Sequence, residues 1–191
     1  MAFWNMATVE PKRQFRYKVT FGSNLGSIDS SLSLFAHKVK KPTFKLETKA
    51  YQYLNHTFNY PGRVKWEASS IDFVDPGNTE NKNLDVATQL MKVITSAGYV
   101  IPNGAGNVAN FQTISKAGLN AQVGNITIEA LNAAGATVET WTMYNAMFTD
   151  VDFKELGYES DEFSIITVAV IYDYATLLDV TSTNRDVLPK V

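Results

Sequence analysis

From Arg13 to Phe21 the chain alternates strictly: Phe15, Tyr17, Val19 and Phe21 are apolar, and Gln14, Arg16, Lys18 and Thr20 lie between them. Period two over nine residues, with aromatic and β-branched members, predicts a half-buried strand. Gly22 to Gly26 breaks it. A second strand is expected over Leu34 to Lys40, with a less regular apolar face, and Pro42 stops it. The pattern from Thr43 to Tyr60 is extended and unusually aromatic. Phe44, Leu46, Tyr51, Tyr53, Phe58 and Tyr60 are separated by Lys45, Glu47, Lys49 and His56. Such an arm standing in water is an aggregation hazard, so it either lies on its own domain or docks on another subunit. Pro61-Gly62 predicts a turn, after which Arg63 to Ala68 resumes strand alternation. Ile71 and Phe73 fall out of phase with Val64 and Trp66, which a β-bulge at Ser69-Ser70 would explain.

Asp75-Pro76-Gly77-Asn78 is a strong turn sequence. After it Leu84, Ala87, Leu90, Met91 and Ile94 recur at helical spacing, with Asn83 as the expected N-cap and Gly98 as the expected C′ residue. Tyr99 to Gly118 is rich in Gly, Asn, Ala and Ser, and reads as a loop or ordered insertion. Strands return with a hairpin, Val123 to Leu131 and Thr137 to Phe148 around Asn132-Ala-Ala-Gly135. Asp150 to Leu156 extends it. Glu162 to Tyr174 is expected as one long strand, apolar on both faces and therefore central. Leu177 to Val191 has no period, and no repeat or low-complexity segment is present.

Composition narrows the classes. The 191 residues are 45% hydrophobic and contain no Cys, so disulfides, thiolate metal sites and a Cys nucleophile are excluded. With two histidines, His37 and His56, a multi-His metal site within one subunit is excluded too. No apolar run approaches membrane-span length, and Met1 to Ala7 lacks the features of a signal peptide. The expectation is a soluble, unsecreted single domain. Net charge is −2, but its distribution is uneven. Residues 1–65 hold 11 Lys/Arg against 3 Asp/Glu, and residues 66–191 hold 6 against 16, giving +8 and −10. Two solvated faces of a monomer would account for this. So would a molecule that associates with its own copies, basic surface on acidic surface.

Specific chemistry is not in evidence. Neither histidine sits in a nucleophile-elbow context, and both read as structural or surface residues. Gly104 to Ala109 has the shape GxGxxA without the preceding strand and following helix that dinucleotide binding requires. Glu159, Asp161 and Glu162 lack cation-loop spacing and read as a solvated turn. No catalytic, cofactor or metal residue is assigned, and an assembly role is favoured over an enzyme.

Three blocks together resemble the tail tube proteins of contractile-tailed bacteriophages, a family that extends to tube proteins of contractile injection systems. They are the strand Phe15–Phe21, the stretch Ala36–Phe44 leading through the arm to Phe58–Arg63 and Trp66, and the closing sheet. In that sheet the resemblance lies in Trp141, Asn145-Ala146, Val151–Phe153, Tyr158 and Ile171–Tyr174. The likeness covers about residues 13–75 and 123–175, leaving a helix-plus-loop insertion at about 75–122 and an arm at about 42–61.

The resemblance implies a mainly β subunit, a sandwich or barrel flanked by one α-helix, whose strands join neighbours in a hexameric ring β-barrel. Rings would stack into a hollow conduit for DNA and tape-measure protein, with sheath, baseplate and tail-terminator proteins as partners. The location implied is the virion, with assembly in host cytoplasm; no membrane is involved and no cofactor is needed. The arm Phe44–Tyr60 maps onto the segment that reaches an adjacent subunit or ring. Lys38, Lys40, Lys41, Lys45 and Lys49 are expected to meet Asp150, Asp152, Glu155, Glu159 and Asp161 of a neighbour. Because phosphate must slide and not stick, acidic or neutral lumen walls are favoured, and Glu129 and Glu139 are candidates for them. A tube initiator, a terminator or an injection-device tube protein of the same fold is the nearest alternative. A carbohydrate-binding sandwich using Trp66, Trp141 and the tyrosines is a more distant one.

Overall fold

The computed structural model describes residues 10–22, 30–77, 85–102, 111–159, 161–179 and 186–187. It is mainly β, with open antiparallel sheets and two helices. Strands β1 (Tyr17–Phe21), β6 (Ile126–Leu131), β7 (Thr137–Tyr144), β10 (Tyr174–Asp179) and β11 (Asp186–Val187) form one sheet in the order β1-β6-β7-β10-β11. Strands β2 (Ala36–Val39), β5 (Ser69–Val74), β8 (Met147–Asp152) and β9 (Ile165–Ile171) form the second, ordered β2-β5-β9-β8. Strands β3 (Thr43–Tyr53) and β4 (His56–Glu67) pair only with each other.

The two larger sheets pack face to face. Val19, Ile126, Ile128 and Met143 from one meet Ile71, Phe73, Ile166 and Val168 from the other in a single core. Phe21 bridges them, with its ring centroid 6.1 Å from that of Phe73 and 6.4 Å from that of Phe148. Each fully buried large side chain contributes about 1.5–3 kcal/mol of apolar transfer, so this layer dominates the stability of the body. Helices α1 (Val86–Ser96) and α2 (Lys116–Val123) lie beside it, and α1 sends Val86, Leu90 and Val93 into the same core.

Several expectations shift. The first strand starts at Tyr17, because Arg13 to Arg16 form a turn closed by the Arg16 N–H on the Arg13 carbonyl at 3.3 Å. The second begins at Ala36, after a short 3₁₀ turn over Ser30–Leu34. The turn placed at Pro61-Gly62 is instead at Leu54-Asn55, and Pro61 and Gly62 lie inside β4. The phase change before Ile71 is not a bulge at Ser69-Ser70. At Ala68 the chain leaves the β3–β4 ribbon and enters the second sheet. The α1 N-cap position is Asp85; Asn83 and Leu84 lie outside the described residues. Met91 is exposed, so the buried stripe runs through Val86, Gln89, Leu90 and Val93. Asn78, Gly104 to Ala109 and most of the tail also fall outside the described residues.

The loop expected over Tyr99 to Gly118 gives way at its end to helix α2, which begins at Lys116. Its N-cap Ser115 accepts the Gly118 N–H at 2.9 Å, and Gly124, at φ 68°, ends it. Strand β8 ends at Asp152, short of the expected Leu156. The long strand expected over Glu162–Tyr174 is two, β9 in one sheet and β10 in the other. Of its two apolar faces, Ile166, Val168 and Val170 are buried, while Ile165 and Thr167 on the opposite face are partly open.

The crossover between β9 and β10 is fixed by polar contacts. The Asp173 N–H donates to the Tyr144 carbonyl at 3.0 Å. Its carboxylate accepts from Lys116 Nζ at 2.7 Å and Asn145 Nδ2 at 2.8 Å. These two donors, Lys116 foremost, hold the Asp173 carboxyl below its usual pKa. Asn145, at φ 53°, marks the other crossover, from β7 to β8. The two sheets are thus tied at one corner by four residues.

Gly118 lets α2 approach α1 closely: a Cβ there would lie 2.6 Å from the Ala97 carbonyl oxygen. Gly118→Ala is expected to lower stability by about 1–3 kcal/mol. The measurement is the urea midpoint at unchanged m-value.

Candidate assembly surfaces

The β3–β4 ribbon continues the β2–β5 pair outward, beyond the edge of the core. Pro42 is buried at its root, where the Lys40 N–H donates to the Ser70 carbonyl at 2.9 Å and the Ser69 hydroxyl donates to the Lys40 carbonyl. Beyond the root nearly every residue of both strands is exposed. Phe44, Leu46, Val64 and Trp66 share one face near the root. There Trp66 packs on Phe44 (5.5 Å) and on Tyr172 of the body (5.8 Å), and the Tyr172 hydroxyl reaches the Thr43 carbonyl at 3.5 Å. Toward the tip Tyr51, Tyr53, Phe58 and Tyr60 are 59, 59, 49 and 58% exposed. Leu54, in the tip turn, holds φ 52° and is 86% exposed. A non-glycine residue in the left-handed region stores strain.

The lysines expected to face a neighbour divide into two groups. Lys45 and Lys49 stand on the ribbon, and among the described residues neither they nor Arg63 and Lys65 form a salt bridge. Lys38 lies on β2 and Lys40 at the ribbon's root, with its Nζ 3.2 Å from the Ala68 carbonyl. Lys41 is bound within the chain, its Nζ 2.7 Å from Glu139 Oε1. Of the acidic candidates, Asp150 and Asp152 lie on β8, an edge strand, and Glu155, Glu159 and Asp161 on the exposed segment that follows. Asp152 pairs with Lys154 at 2.6 Å, which lowers its pKa. Beside this edge, Leu90, Val93, Ile94, Leu119, Phe148 and Val151 line a groove of about 230 Å³ with Asp150 at its border.

Glu129 and Glu139 occupy opposite faces of the β6–β7 hairpin. Glu139 pairs across to Ala130, on the side that holds Ile128 and Met143. Glu129 pairs to Thr140 on the outer side and lies 3.8 Å from Lys18. One wall therefore takes only one of them. The register also places Thr20, Thr127, Thr142 and Thr176 in a single row across that outer side, a feature that sequence alone could not reveal. The stacked rings of Tyr144 and Tyr174, 4.7 Å apart, flank the row.

Glu139 is a structural clamp. Its side chain, 13% exposed, accepts from Lys12, Lys41 and Trp141 Nε1, the last at 2.6 Å. Partial burial alone would raise its pKa, but the hydrogen bonds from Lys12, Lys41 and Trp141 outweigh that and lower it from 4.5 to about 2. Both histidines are exposed, His37 on β2 and His56 at the ribbon tip. Among the described residues no group of three or more His, Asp or Glu is placed to hold a metal ion, and no helix is long and apolar enough to cross a membrane.

No protein-family model matches the sequence, and no curated protein matches it. Solved structures do match. A chain in the extended sheath–tube complex of the extracellular contractile injection system PVC aligns with a TM-score of 0.61 at 19% identity, covering 94% of this chain and 99% of that one. A chain of the anti-feeding prophage (AFP) tube terminating cap gives 0.59 at 15% identity, with 91% and 95% covered. One from the AFP baseplate gives 0.63 at 16%, with 92% and 100% covered. This chain therefore has the fold of proteins from the tube, cap and baseplate assemblies of contractile injection systems.

Because Glu139 has a depressed pKa, its contribution is full above pH 4.5 and is lost as pH falls toward 2. With both lysines half exposed, water screening holds that contribution to about 1 kcal/mol. Glu139→Gln should be less stable than the parent by that amount at pH 7. The gap should close between pH 4.5 and pH 2 in urea titrations at successive pH values.

Proposed function

We propose that this chain is a structural, non-catalytic subunit that closes into hexameric rings stacked as a hollow conduit. The observation that carries this is the ribbon: a two-stranded arm whose aromatic tip finds no cover among the described residues. A single hairpin is at best marginal in water, and a partner subunit supplies the missing contact. The fold likeness supports the same reading, since the matching chains come from assemblies of this kind. Ring closure would also pair open sheet edges such as β8.

In this reading the outer side of the five-stranded sheet faces the lumen. Its row of threonines carries no charge, and Glu129 is offset by Lys18. Such a wall holds neither phosphate nor unfolded protein tightly. Sheath, baseplate, terminator and tape-measure proteins are the partners proposed, with DNA or a protein cargo passing through. The place of action is a phage tail or injection device assembled in the host cytoplasm. A tube-terminating role is the second reading, favoured by the matches to a tube terminating cap and to a sheath/tube terminator complex. A sugar platform is disfavoured because Trp66 packs on Tyr172 and Trp141 is bonded to Glu139.

Sedimentation across a concentration series, with negative-stain images of the fast fraction, tests the proposal. Six-fold rings or hollow tubes are expected for the tube, and a monomer at every concentration would count against it. Lys45→Glu with Lys49→Glu is expected to abolish the fast fraction and leave the thermal transition of the monomer unchanged.

A further inference from the structure

The apolar residues of the ribbon change face partway along it, and the two strands do so by different means. On β3 the change is written in the sequence: Phe44 and Leu46 are even-numbered, Tyr51 and Tyr53 odd-numbered. On β4 the apolar residues Phe58, Tyr60, Val64 and Trp66 are all even-numbered, so regular alternation would leave them on one face. The pairing shows what intervenes. Leu46 is opposite Val64 but Thr48 is opposite Pro61, so Gly62 and Arg63 together oppose Glu47. That extra residue is a β-bulge, and it inverts the phase of β4 where the β3 sequence inverts. The result is an apolar root face (Phe44, Leu46, Val64, Trp66) and an aromatic tip on the other face (Tyr51, Tyr53, Phe58, Tyr60). Thr48, Ala50, Gln52, Thr57 and Asn59 back the tip.

The bulge depends on Gly62. A Cβ there would lie 2.9 Å from the Glu47 carbonyl oxygen, which is backbone and has no flexible end to yield. The root face has its cover, Tyr172 of the same chain. Among the described residues nothing covers the tip face, whose Tyr51, Tyr53, Phe58 and Tyr60 stay about half exposed or more.

We infer that the bulge at Gly62 aims the ribbon so that its root face rests on its own body and its opposite, aromatic tip face docks on a second copy of this chain. The inference rests on the self-assembly reading above and deepens it by naming which face binds and what sets it. Charge favours a second copy as occupant. Lys49 and His56 stand among the tip rings, with Glu47 next along the same side at the bulge, and the ribbon as a whole is basic, with Lys45, Lys49, Arg63 and Lys65 against Glu47 and Glu67. The β8 flank of the body offers an apolar groove with Asp150 at its border. Apolar rings with a lysine thus meet an apolar groove bordered by the Asp150 carboxylate.

The absence of native cysteine makes a direct test available. Tyr53→Cys places a single thiol on the tip face and Gln52→Cys one on its back. Each is reacted with a maleimide in the dispersed and the assembled states, beside the wild-type sedimentation profile. The expected result is at least tenfold slower labelling of Tyr53→Cys on assembly, with the Gln52→Cys rate changed less than twofold. Gly62→Val should lose the fast-sedimenting species while the body keeps its thermal transition. Should wild type assemble yet protect both thiols equally, or only the back thiol, the face assignment is overturned and self-assembly stands. Assembly of Gly62→Val at the wild-type level overturns the role of the bulge. A wild type that remains monomeric overturns self-assembly and second-copy docking together.

Discussion

An aromatic β-ribbon that extends past the core cannot cover itself. Two strands give each residue one neighbour across the ladder and no second layer, so a face bearing Tyr51, Tyr53, Phe58 and Tyr60 stays half open to water. The rest of the molecule is organised around holding that face in place. The ribbon continues the β2–β5 edge of a sheet whose other strands, β9 and β8, are locked into the core. Trp66 and Tyr172 clasp its underside. Lys41, just before it, is fixed by Glu139, which also holds Lys12. The root is therefore stiff where the tip is bare.

The body supplies rigidity through two crossovers at one corner. Strands β7 and β9 each hand the chain to the other sheet, at Asn145 and Asp173, and Lys116 from α2 joins them. A sandwich tied in this way resists shear between its layers. Charge works at a longer range. The basic first third holds the ribbon and the acidic remainder holds β8 and the following segment, a split that the proposed association of copies would use as an orienting field.

Sequence patterns revealed the body better than the ribbon. Strands β1, β5 and β6 alternate in sequence as in burial, β9 is marked instead by its continuous apolar run, and α1 carries apolar residues at helical spacing. The helix α2 was invisible because its Gly, Asn and Gln give no such spacing; a Ser cap and a terminal Gly define it instead. The join between β9 and β10 carries neither Gly nor Pro. It is made by Asp173, whose N–H donates to the Tyr144 carbonyl and whose carboxylate accepts from Lys116, both distant in sequence. Pro61-Gly62 looked like a turn because the same residues serve a bulge, where a missing N–H and a missing Cβ are equally useful. The arm's aromatic character and the charge split were legible from the start. The faces they occupy were not, since face depends on register.

Hydrogen exchange of the ribbon amides, compared between dispersed and assembled protein, reaches the central claim most directly. The account predicts that amides of Lys49–Tyr53 and His56–Tyr60 exchange quickly in the dispersed chain and become strongly protected on assembly, while core strands such as β9 are protected in both states. Ribbon amides equally protected, or equally exposed, in the two states would contradict it.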